Sequence, residues 1–440
     1  MSHGVSPVSL KDVPAIVGAA PFRLPMVWKG LAVAFIALGM AVFAYQVFAG
    51  DDVKHLWLAI HVNFIFWFGL AAASTVFSAV FQICNAQWSR PIRRLFESAS
   101  TFFFYCPVLL LILYFFKSYE HLFIWVHEPA PGKEGWLTPS FVYVRDVLAM
   151  IVLVVLGRRI VHYSIRQDVG AVRSGLTGLP KESLSRWQDK EYDRFVGDWG
   201  SDAKNELVKT SASLSRLSPV VVAAYAVVMT LIAFDLVMSI DPHWYSTMFG
   251  GFIFMSAGYL ALAWCAMLVA IARVSHPLFT QKIERRTLHD LGKLLFGFGI
   301  FWAYLMWSQY LPMWYGNMPE ETGYLILRLR DKPWHDFAWL VLTCCFIVPF
   351  LLGLSRDVKQ VPALLFCTGM IAACGLWLML YLLVAPSLYR SAIPFNLTEV
   401  SVTLAFFGGF LLSSASFLEK APLMPFGDLY VFDRIQPKQA

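Results

Sequence analysis

A small set of ionisable side chains lies inside long apolar stretches of this chain. His61, Asp146 and Asp235 each stand among residues that favour hydrocarbon, and Arg145 directly precedes one of these carboxylates. A charge in such surroundings is costly, so it is usually paired with another group or used to move ions or protons. The candidates for a proton path are His61, Asp146, Asp235, Asp241, His289, Asp290, Tyr304, Ser308 and Glu399.

Arg145 and Asp235 illustrate the choice between these two roles. Each is expected about one turn inside the same end of its helix, and the two helices are consecutive. We favour a buried salt bridge, because separating the two charges would leave each of them uncompensated. A role of Asp235 as a proton relay stays open at the level of sequence.

A second polar set lies on one predicted helix. Lys293, Gly297, Tyr304 and Ser308 follow one another at spacings of four, seven and four residues, which places them on one helical face. Such a face can form a polar ladder through much of a bilayer. A structural ion pair of Lys293, with Tyr304 and Ser308 bonded to neighbouring helices, explains the same residues and is the interpretation we favour.

The cysteines and histidines argue against a bound metal, cluster or haem. The 7 Cys residues occur singly or as one adjacent pair, without a CxxC motif or a Cys-rich loop. Of the 10 His residues, only His61 is predicted well inside a helix, whereas a membrane haem commonly needs two that face each other. We therefore expect no catalytic residue, no metal and no redox cofactor bound by this chain.

Long apolar runs must position these side chains. Each run holds roughly 20 residues, enough to cross a hydrocarbon core of ~30 Å as one helix. With 58% hydrophobic and 15% charged residues, the chain lacks the polar surface of a water-soluble protein. The sequence therefore predicts an all-α integral membrane protein with about ten spans. The predicted helices one to ten cover 26–49, 57–84, 95–116, 141–161, 219–240, 250–272, 288–311, 337–354, 362–385 and 399–417.

Basic residues indicate how the helices are oriented. Most of the 35 Lys and Arg residues lie at the N-terminus, at the second, fourth, sixth and eighth connections, and at the C-terminus. By the positive-inside rule these segments face the cytoplasm. The net charge of +6 thus reflects topology and gives no sign of nucleic-acid binding. We expect a cytoplasmic segment at 1–25, a membrane domain at 26–418 with a cytoplasmic connection at 162–218, and a cytoplasmic tail at 419–440.

The chain contains a weak internal repeat. Helix two carries Phe64-Ile65-Phe66 and helix six carries Phe252-Ile253-Phe254, and each is followed by a basic connection and another long helix. Both helices run in the same direction, so the repeat would be parallel, about an axis along the membrane normal. It predicts two four-helix bundles, helices two to five and six to nine, with helices one and ten at the periphery. Chance similarity between apolar helices is the alternative.

Four stretches resemble one family of membrane subunits. They are residues 88–94 (WSRPIRR), 234–250 (FDLVMSIDPHWYSTMFG), 289–295 (HDLGKLL) with its continuation to 321, and 419–425 (EKAPLMP). In these stretches the chain resembles the F subunits of alternative complex III, within the wider polysulfide-reductase, NrfD-like membrane family. The resemblance covers nearly the whole chain and implies an NrfD-like fold with two four-helix bundles. It also implies proton-path roles for Asp235, Asp241, His289, Asp290, Tyr304 and Ser308, whereas His61, Asp146 and Glu399 are candidates by depth alone.

The resemblance further implies a non-catalytic subunit of a respiratory quinol:electron-acceptor oxidoreductase in the bacterial inner membrane. Such complexes oxidise menaquinol or ubiquinol and pass electrons through iron–sulfur clusters and haem c held by partner subunits. The partners implied are a homologous C subunit, an iron–sulfur B subunit, multihaem and monohaem cytochrome c subunits, small membrane subunits and lipids. A terminal oxidase is a further candidate partner. The expected work of this chain is assembly, and proton translocation coupled to quinol oxidation.

Two other functions remain as alternatives. One is a quinol-binding membrane subunit of a polysulfide-reductase-like enzyme, which would require an iron–sulfur partner on the outer face. The other is a secondary transporter, which would have broken helices at matching places of two repeats. Pro107 and Pro349 interrupt helices three and eight, which are not equivalent, so the sequence disfavours transport.

Overall fold

The computed structural model of the chain describes residues 8–50, 52–428 and 431. Within these ranges the regular structure consists of helices joined by turns and short irregular segments, without β-strands. In the same part of the chain, nine helices are long and apolar enough to cross a membrane, and a bent pair makes a tenth when counted as one span. The prediction of an all-α, multi-span membrane protein is confirmed.

The spanning helices are numbered α1 to α10 in chain order. Helix α3 is the bent pair, whose two halves meet at 45°. A further short helix, Pro319–Leu329, lies between α7 and α8. The bounds are Met26–Ala49 (α1), Val53–Ile83 (α2), Gln87–Glu97 with Ser100–Phe115 (α3), Pro139–Arg173 (α4), Ala203–Ile240 (α5), Phe249–Ser275 (α6), Arg285–Gly316 (α7), Trp334–Leu354 (α8), Pro362–Leu388 (α9) and Leu397–Lys420 (α10).

Helix α2 begins earlier than the apolar pattern predicted. The Asp52 side chain accepts a hydrogen bond of 3.1 Å from the backbone N–H of His55, which caps the first turn. A cap depends on one polar residue outside the apolar run, so hydropathy alone placed the start at Trp57. The earlier start brings His55 into the helix.

Two four-helix bundles form the centre of the molecule. In the first bundle, α5 packs along α2 and α4, and α3 packs on α2 and α4. In the second bundle, α6 packs on α7 and α9, and α8 packs on the same two helices. The bundles meet where α6 lies against α2 and α5, and where α9 lies against α2. This arrangement matches the two bundles expected from the repeat.

Helices α1 and α10 pair with each other beside the first bundle. Only 11% of the apolar window of α1 is buried, compared with 94% of that of α2, so α1 lies at the periphery. Small residues allow the backbones of α1 and α10 to approach each other closely. A Cβ on Gly408 of α10 would lie only 2.5 Å from the carbonyl oxygen of Ala32 on α1, so a larger residue would not fit there. Packing over small residues is a usual way for membrane helices to associate.

The connection expected at 162–218 is largely helical in the structure. Helix α4 continues to Arg173 and α5 starts at Ala203, with short helical turns between them. Hydropathy does not detect the polar ends of these helices, because their residues suit water better than hydrocarbon. Arg166 on α4 pairs with Asp198 in the connection, and this guanidinium lowers the pKa of the Asp198 carboxyl below its usual range.

The N-terminal segment packs against the same end of the helices. The ring N–H of Trp187 donates to the carbonyl oxygen of Val17 at 3.1 Å. Lys282, after α6, pairs with Asp12 at 2.5 Å. From the topology expected for the basic residues, we name this the predicted inner end of the molecule and the opposite one the predicted outer end.

Candidate functional site

The first bundle contains a polar cluster at its predicted outer end, built around an irregular turn of α5. Residues Ala233–Val237 form a π-turn, a feature often found at functional sites. The turn carries Asp235, whose side chain is 1% exposed. The carbonyl oxygen of Leu236, in the same turn, accepts from Nε2 of His61 on α2 at 2.7 Å. Because a carbonyl only accepts, His61 carries a proton on Nε2.

Arg145 on α4 and Asp235, which the sequence favoured as a buried pair, are in contact. Arg145 Nε donates to Asp235 Oδ2 at 2.7 Å, and Nη2 lies 2.6 Å from Oδ1 without the angle of a hydrogen bond. The ring N–H of Trp136 donates to the same carboxylate at 3.0 Å. The guanidinium carbon of Arg145 lies 3.8 Å from the centre of the Trp136 ring. The ring and the carboxylate together fix the guanidinium.

Asp146 adjoins this ion pair, and its carboxyl group lies within hydrogen-bonding reach of that of Asp235. Its side chain is fully buried, and neither carboxyl oxygen accepts a hydrogen bond from a donor group of the described residues. It interacts electrostatically with Asp235 and Arg145. Burying an unpaired carboxylate is costly, whereas the neutral acid is tolerated. Two carboxyl groups beside one guanidinium can therefore take up and release a proton while they stay buried.

A second charged cluster lies at the predicted inner end of the same bundle. Arg94 on α3 pairs with Glu97 of the same helix and with Asp168 of α4, and all three side chains are at most 1% exposed. Arg93 adds a second guanidinium, whose Nε lies 3.2 Å from Glu97 and 2.8 Å from the Ser78 hydroxyl of α2. Each buried carboxylate thus has at least one guanidinium partner, which offsets the cost of its burial.

Hydroxyl groups complete the bonding of Glu97. Its Oε1 accepts from Ser78 at 2.6 Å and from Ser164 at 3.0 Å. The Ser164 hydroxyl also accepts from Arg94 at 3.0 Å. Sequence reasoning counted Arg93 and Arg94 as topology signals and did not place them inside the bundle. The signal that pointed to them was the motif at 88–94, which concentrates Arg directly before an apolar run.

The C-terminal segment covers this inner cluster. Asp168 Oδ1 accepts from the backbone N–H of Phe426 at 2.9 Å and of Gly427 at 2.6 Å. Arg90 on α3 pairs with Asp428 at 2.6 Å. A Cβ on Gly427 would collide with the backbone of α4 at residues 167 and 168, so this close approach requires glycine. The described part of the tail therefore seals the predicted inner end of the first bundle.

Apolar packing separates the two clusters. The rise along α2 from His61 to Ser78 is ~25 Å at 1.5 Å per residue. Between them, Thr75 donates to the carbonyl oxygen of Ala71 at 2.8 Å, and the Ser74 hydroxyl is buried without a partner. The side chains of the described residues form no continuous hydrogen-bonded path between the clusters. A proton crossing this bundle would need water or movement in the middle.

A third buried pair joins α2 to α10. The side chains of His55 and Glu399 are 5% and 0% exposed. Glu399 also accepts from the Tyr381 hydroxyl at 3.3 Å and from the backbone N–H of Asn396 at 2.9 Å, which closes a capping box at the start of α10. Glu399 was a sequence candidate, but His55 was not, because helix two was predicted to begin after it. The capping residue Asp52 was the signal that could have found it.

The candidates on α7 lie at the surface of the described structure. Lys293 pairs with Asp290 on the preceding turn at 2.7 Å, and its side chain is 54% exposed. Tyr304 is 59% exposed, and Ser308 and His289 are half-buried. The polar ladder that the sequence allowed on this helix therefore faces away from both bundles. Of the favoured interpretation, the ion pair of Lys293 is present, and no hydrogen bond from Tyr304 or Ser308 to a neighbouring helix is found in the described residues.

Asp241 lies apart from both charged clusters, after the last turn of α5. It is half-buried and interacts electrostatically with Arg328, which is 3% exposed. Arg328 donates to the carbonyl oxygens of Leu382 at 3.1 Å and Leu383 at 2.8 Å. Because Pro386 has no N–H, the Leu382 carbonyl lacks its helical partner, and Arg328 takes that place. Sequence reasoning placed Arg328 in a loop and missed this contact.

Within the described residues, no group of three or more His, Cys, Asp or Glu side chains is placed to hold a metal ion. A cavity of about 20 Å³ lies between the two bundles and is lined mainly by apolar side chains of α2, α5, α6 and α9. It has room for about one water molecule, and apolar cavities of this kind stay dry.

The fold and the buried charges define the class of the protein as a polytopic α-helical membrane protein with ionisable side chains inside one of its two bundles. No protein-family model matches the chain, and no curated protein matches it significantly. A functional proposal therefore rests on the contacts within the first bundle and on the resemblance of the sequence motifs.

Proposed function

We propose that this chain is a non-catalytic membrane subunit of a quinol:electron-acceptor oxidoreductase of the alternative complex III type, and that its first bundle conducts protons. The proton role is carried by one observation, the burial of ionisable side chains at both ends of the bundle α2 to α5. On the described residues of α6 to α9, no carboxylate or His side chain is comparably buried. Two bundles of similar architecture thus differ in the property that proton transfer requires.

At the predicted outer end, Asp146 is the group best suited to carry a proton. It is buried, it accepts no hydrogen bond from a donor group of the described residues, and it interacts with Asp235. Asp235 forms a salt bridge with the guanidinium of Arg145, whereas Asp146 forms none in the described residues. Asp146 is therefore the carboxyl group of this cluster that we expect to exchange a proton.

At the predicted inner end, Glu97 and Asp168 are the proton-binding groups, and Arg94 holds both of them. The hydroxyls of Ser78 and Ser164 extend the hydrogen bonding toward the bundle interior. Because ~25 Å of helix rise separates the two ends, transfer requires a change that admits water between them. We therefore expect the proton route to be gated by this change.

In this proposal the redox chemistry belongs to partner subunits. Quinol would be oxidised beside an iron–sulfur subunit, and electrons would pass to haem c in other chains, as the resemblance implies. This chain would supply surfaces for assembly and the proton route. It would lie in the bacterial inner membrane with both termini in the cytoplasm.

Asp146→Asn tests the proton role, because the amide keeps the size of the side chain and cannot titrate. The complex should assemble, since a neutral group suits this buried position. Quinol oxidation should then release fewer protons per electron, measured with a pH-sensitive dye in vesicles that hold the purified complex. Asp357→Asn, at an exposed position between α8 and α9, is the matched control and should leave the ratio unchanged.

An unchanged proton-to-electron ratio in an assembled Asp146→Asn complex would refute the route. If the variant does not assemble, Asp146→Glu should restore both assembly and proton release. The identity of the complex has its own test, co-purification in mild detergent, in which proteins with haem c and iron–sulfur clusters should accompany the chain. If these proteins do not co-purify with the chain, the assignment to this type of complex is wrong. The proton route would still be tested by the Asp146 variants.

A further inference from the structure

Three exposed arginines lie at the predicted inner end of the first bundle. Arg158 and Arg159 are consecutive residues of α4, and Arg194 lies in the connection between α4 and α5. We name these three residues the arginine patch. Within the described ranges none of them forms a salt bridge, whereas five other arginines at this end do: Arg90, Arg93, Arg94, Arg166 and Arg173.

Aromatic rings hold two of the three guanidinium groups in place. The guanidinium carbon of Arg158 lies 4.7 Å from the centre of the Phe104 ring of α3, and that of Arg194 lies 4.8 Å from the centre of the Phe195 ring. Such contacts orient a guanidinium but do not balance its charge. The N–H groups of the patch donate no hydrogen bond to the described residues, so they are free to bind an anion.

His162 of α4 links the connection to the helix. Its ring stacks on that of Phe195, with the two centroids 5.2 Å apart, and it lies one turn beyond the two α4 arginines. His162 interacts electrostatically with both Arg159 and Arg194. The acid near this ring, Asp198, is already paired with an arginine outside the patch. The patch is therefore one cluster with an excess of positive charge.

The exposed face of α4 continues from the arginine patch toward the predicted outer end as an apolar stripe. Successive residues of the stripe are three or four positions apart, so they share a helical face with the two α4 arginines. The helix rise along this face is ~26 Å at 1.5 Å per residue, close to the thickness of the hydrocarbon core. The guanidinium groups thus lie at the level of lipid phosphates. The stripe consists of Val155, Ile151, Leu148, Val144 and Phe141.

We propose that the arginine patch binds the headgroup of an anionic phospholipid, whose acyl chains lie along the apolar stripe of α4. A guanidinium binds phosphate oxygens through paired hydrogen bonds, and three such groups can hold more than one phosphate. Basic pockets beside membrane helices on the cytoplasmic side bind headgroups of this kind.

The combination of charge and apolar surface selects a lipid over other anions. A free phosphate would match the arginines and leave the stripe without a partner. An acidic protein segment would match the same charges, but the stripe offers it no hydrogen-bonding side chain toward the bilayer centre. Lipid tails require none. The inference is independent of the proposed function, because no patch residue belongs to the two charged clusters of the first bundle.

Native mass spectrometry of the purified full chain tests this proposal. Cardiolipin and phosphatidylcholine are added at equal concentrations to the chain in mild detergent, and the fraction of chain that carries each lipid is measured. Cardiolipin has two phosphates and a negative charge, whereas phosphatidylcholine has no net charge. The chain should therefore retain cardiolipin at lower concentrations. Equal retention of the two lipids would overturn the proposal.

Charge-removing variants locate the site. Arg158→Gln combined with Arg159→Gln should lower the affinity for cardiolipin by about 25-fold, fivefold for each charge, which corresponds to ~1 kcal/mol for one basic residue near an anionic surface. The matched control is Arg285→Gln combined with Arg286→Gln, an adjacent exposed pair at the start of α7, and it should leave the affinity unchanged. An equal loss in both double variants would mean general attraction to basic residues and would refute the site.

Two further measurements separate a folding defect and the other occupants from the proposed one. Arg158→Lys combined with Arg159→Lys keeps both charges and should retain most of the affinity. Inorganic phosphate should displace cardiolipin no better than chloride at the same ionic strength. In native membranes, phosphatidylglycerol with a photoreactive acyl chain should crosslink to α4 between residues 141 and 159. Specific displacement by phosphate, or no lipid crosslink on α4, would contradict the proposal.

Discussion

In the described residues, Asp235 is the carboxylate that forms a salt bridge with Arg145, whereas Asp146 interacts with Arg145 electrostatically without such a contact. The Asp235 carboxylate also accepts from Trp136, and the guanidinium lies over that ring. These contacts are neutral, so they orient the pair and do not balance its charge. Removing one partner of a buried pair leaves an uncompensated charge at a cost of roughly 3–5 kcal/mol.

Asp235→Asn should therefore lower the amount of folded chain in the membrane. Adding Arg145→Leu should partly restore it, because the double variant no longer buries a lone charge. Fluorescence-detected size exclusion of the solubilised protein measures both effects, with the exposed Asp357→Asn as control. Normal folding of Asp235→Asn with fewer protons released per electron would instead assign Asp235 a relay role. No change in either measurement would leave it with neither role.

Counting ionisable residues by depth in apolar runs finds some buried groups and misses others. Asp146, Asp235 and Glu399 were candidates from the sequence, and all three are at most 1% exposed. His55, Arg94 and Asp168 are as important to the buried pairs, yet they lie outside the apolar runs. Their burial comes from a helix cap, from the first half of α3 and from the extension of α4. Hydropathy is not sensitive to any of these, because each depends on a tertiary partner.

At the scale of whole elements, the apolar pattern predicted the number and order of the helices but not their irregularities. The first half of α3, Gln87–Glu97, looked like a loop because its Arg residues are hydrophilic, although inside the bundle they are paired. The π-turn at Ala233–Val237 has no signature in composition. The polar first half of α3 and the π-turn of α5 both lie at the candidate site. There, polar side chains must point toward partners that a straight apolar helix would not let them reach.

The tail beyond α10 is an element that the sequence placed in the cytoplasm without predicting what it contacts. Its Gly427 lies against the backbone of α4, where an added Cβ would collide. Gly427→Ala should therefore release the tail, with faster proteolysis of residues 421–428 in inside-out vesicles and intact spanning helices. Gly323→Ala, at a position with open space for a Cβ, is the matched control and should be cleaved like the unchanged chain. Equal rates for both variants would show that the tail is not held at this contact.

At the scale of the molecule, the two bundles share an arrangement and differ in content. Helices α2 and α6, which carry the matching Phe-Ile-Phe segments, occupy the centre, with 94% and 78% of their apolar windows buried. The sequence alone could not separate a true repeat from chance, because apolar helices resemble one another in composition. The packing of α2 on α5 and α9, and of α6 on α9 and α5, is what a parallel repeat predicts. Within the described residues, buried carboxylates occur in the first bundle and not in the second, so we expect the two halves to have different tasks.

The orientation of the chain decides which compartment each charged cluster meets. The basic residues predict that the connection before α4 is outside and the one after it is cytoplasmic. In right-side-out cells, a membrane-impermeant thiol reagent should label Glu134→Cys at once and Glu191→Cys only after permeabilisation; both residues are exposed. The exposed native cysteines Cys84, Cys367 and Cys374 are changed to Ser in both variants, so that they do not contribute.

The opposite labelling pattern would show that the chain has the reverse orientation in the membrane. Asp146 would then be near the cytoplasm, and the tail would seal the bundle on the outside, which would reverse the direction of any proton route through it. Labelling of both positions in intact cells would contradict the span itself, because α4 is the single helix between them. With the predicted pattern, the proposed route would take up protons at the Arg94 cluster, which the tail seals, and release them on the side of Asp146.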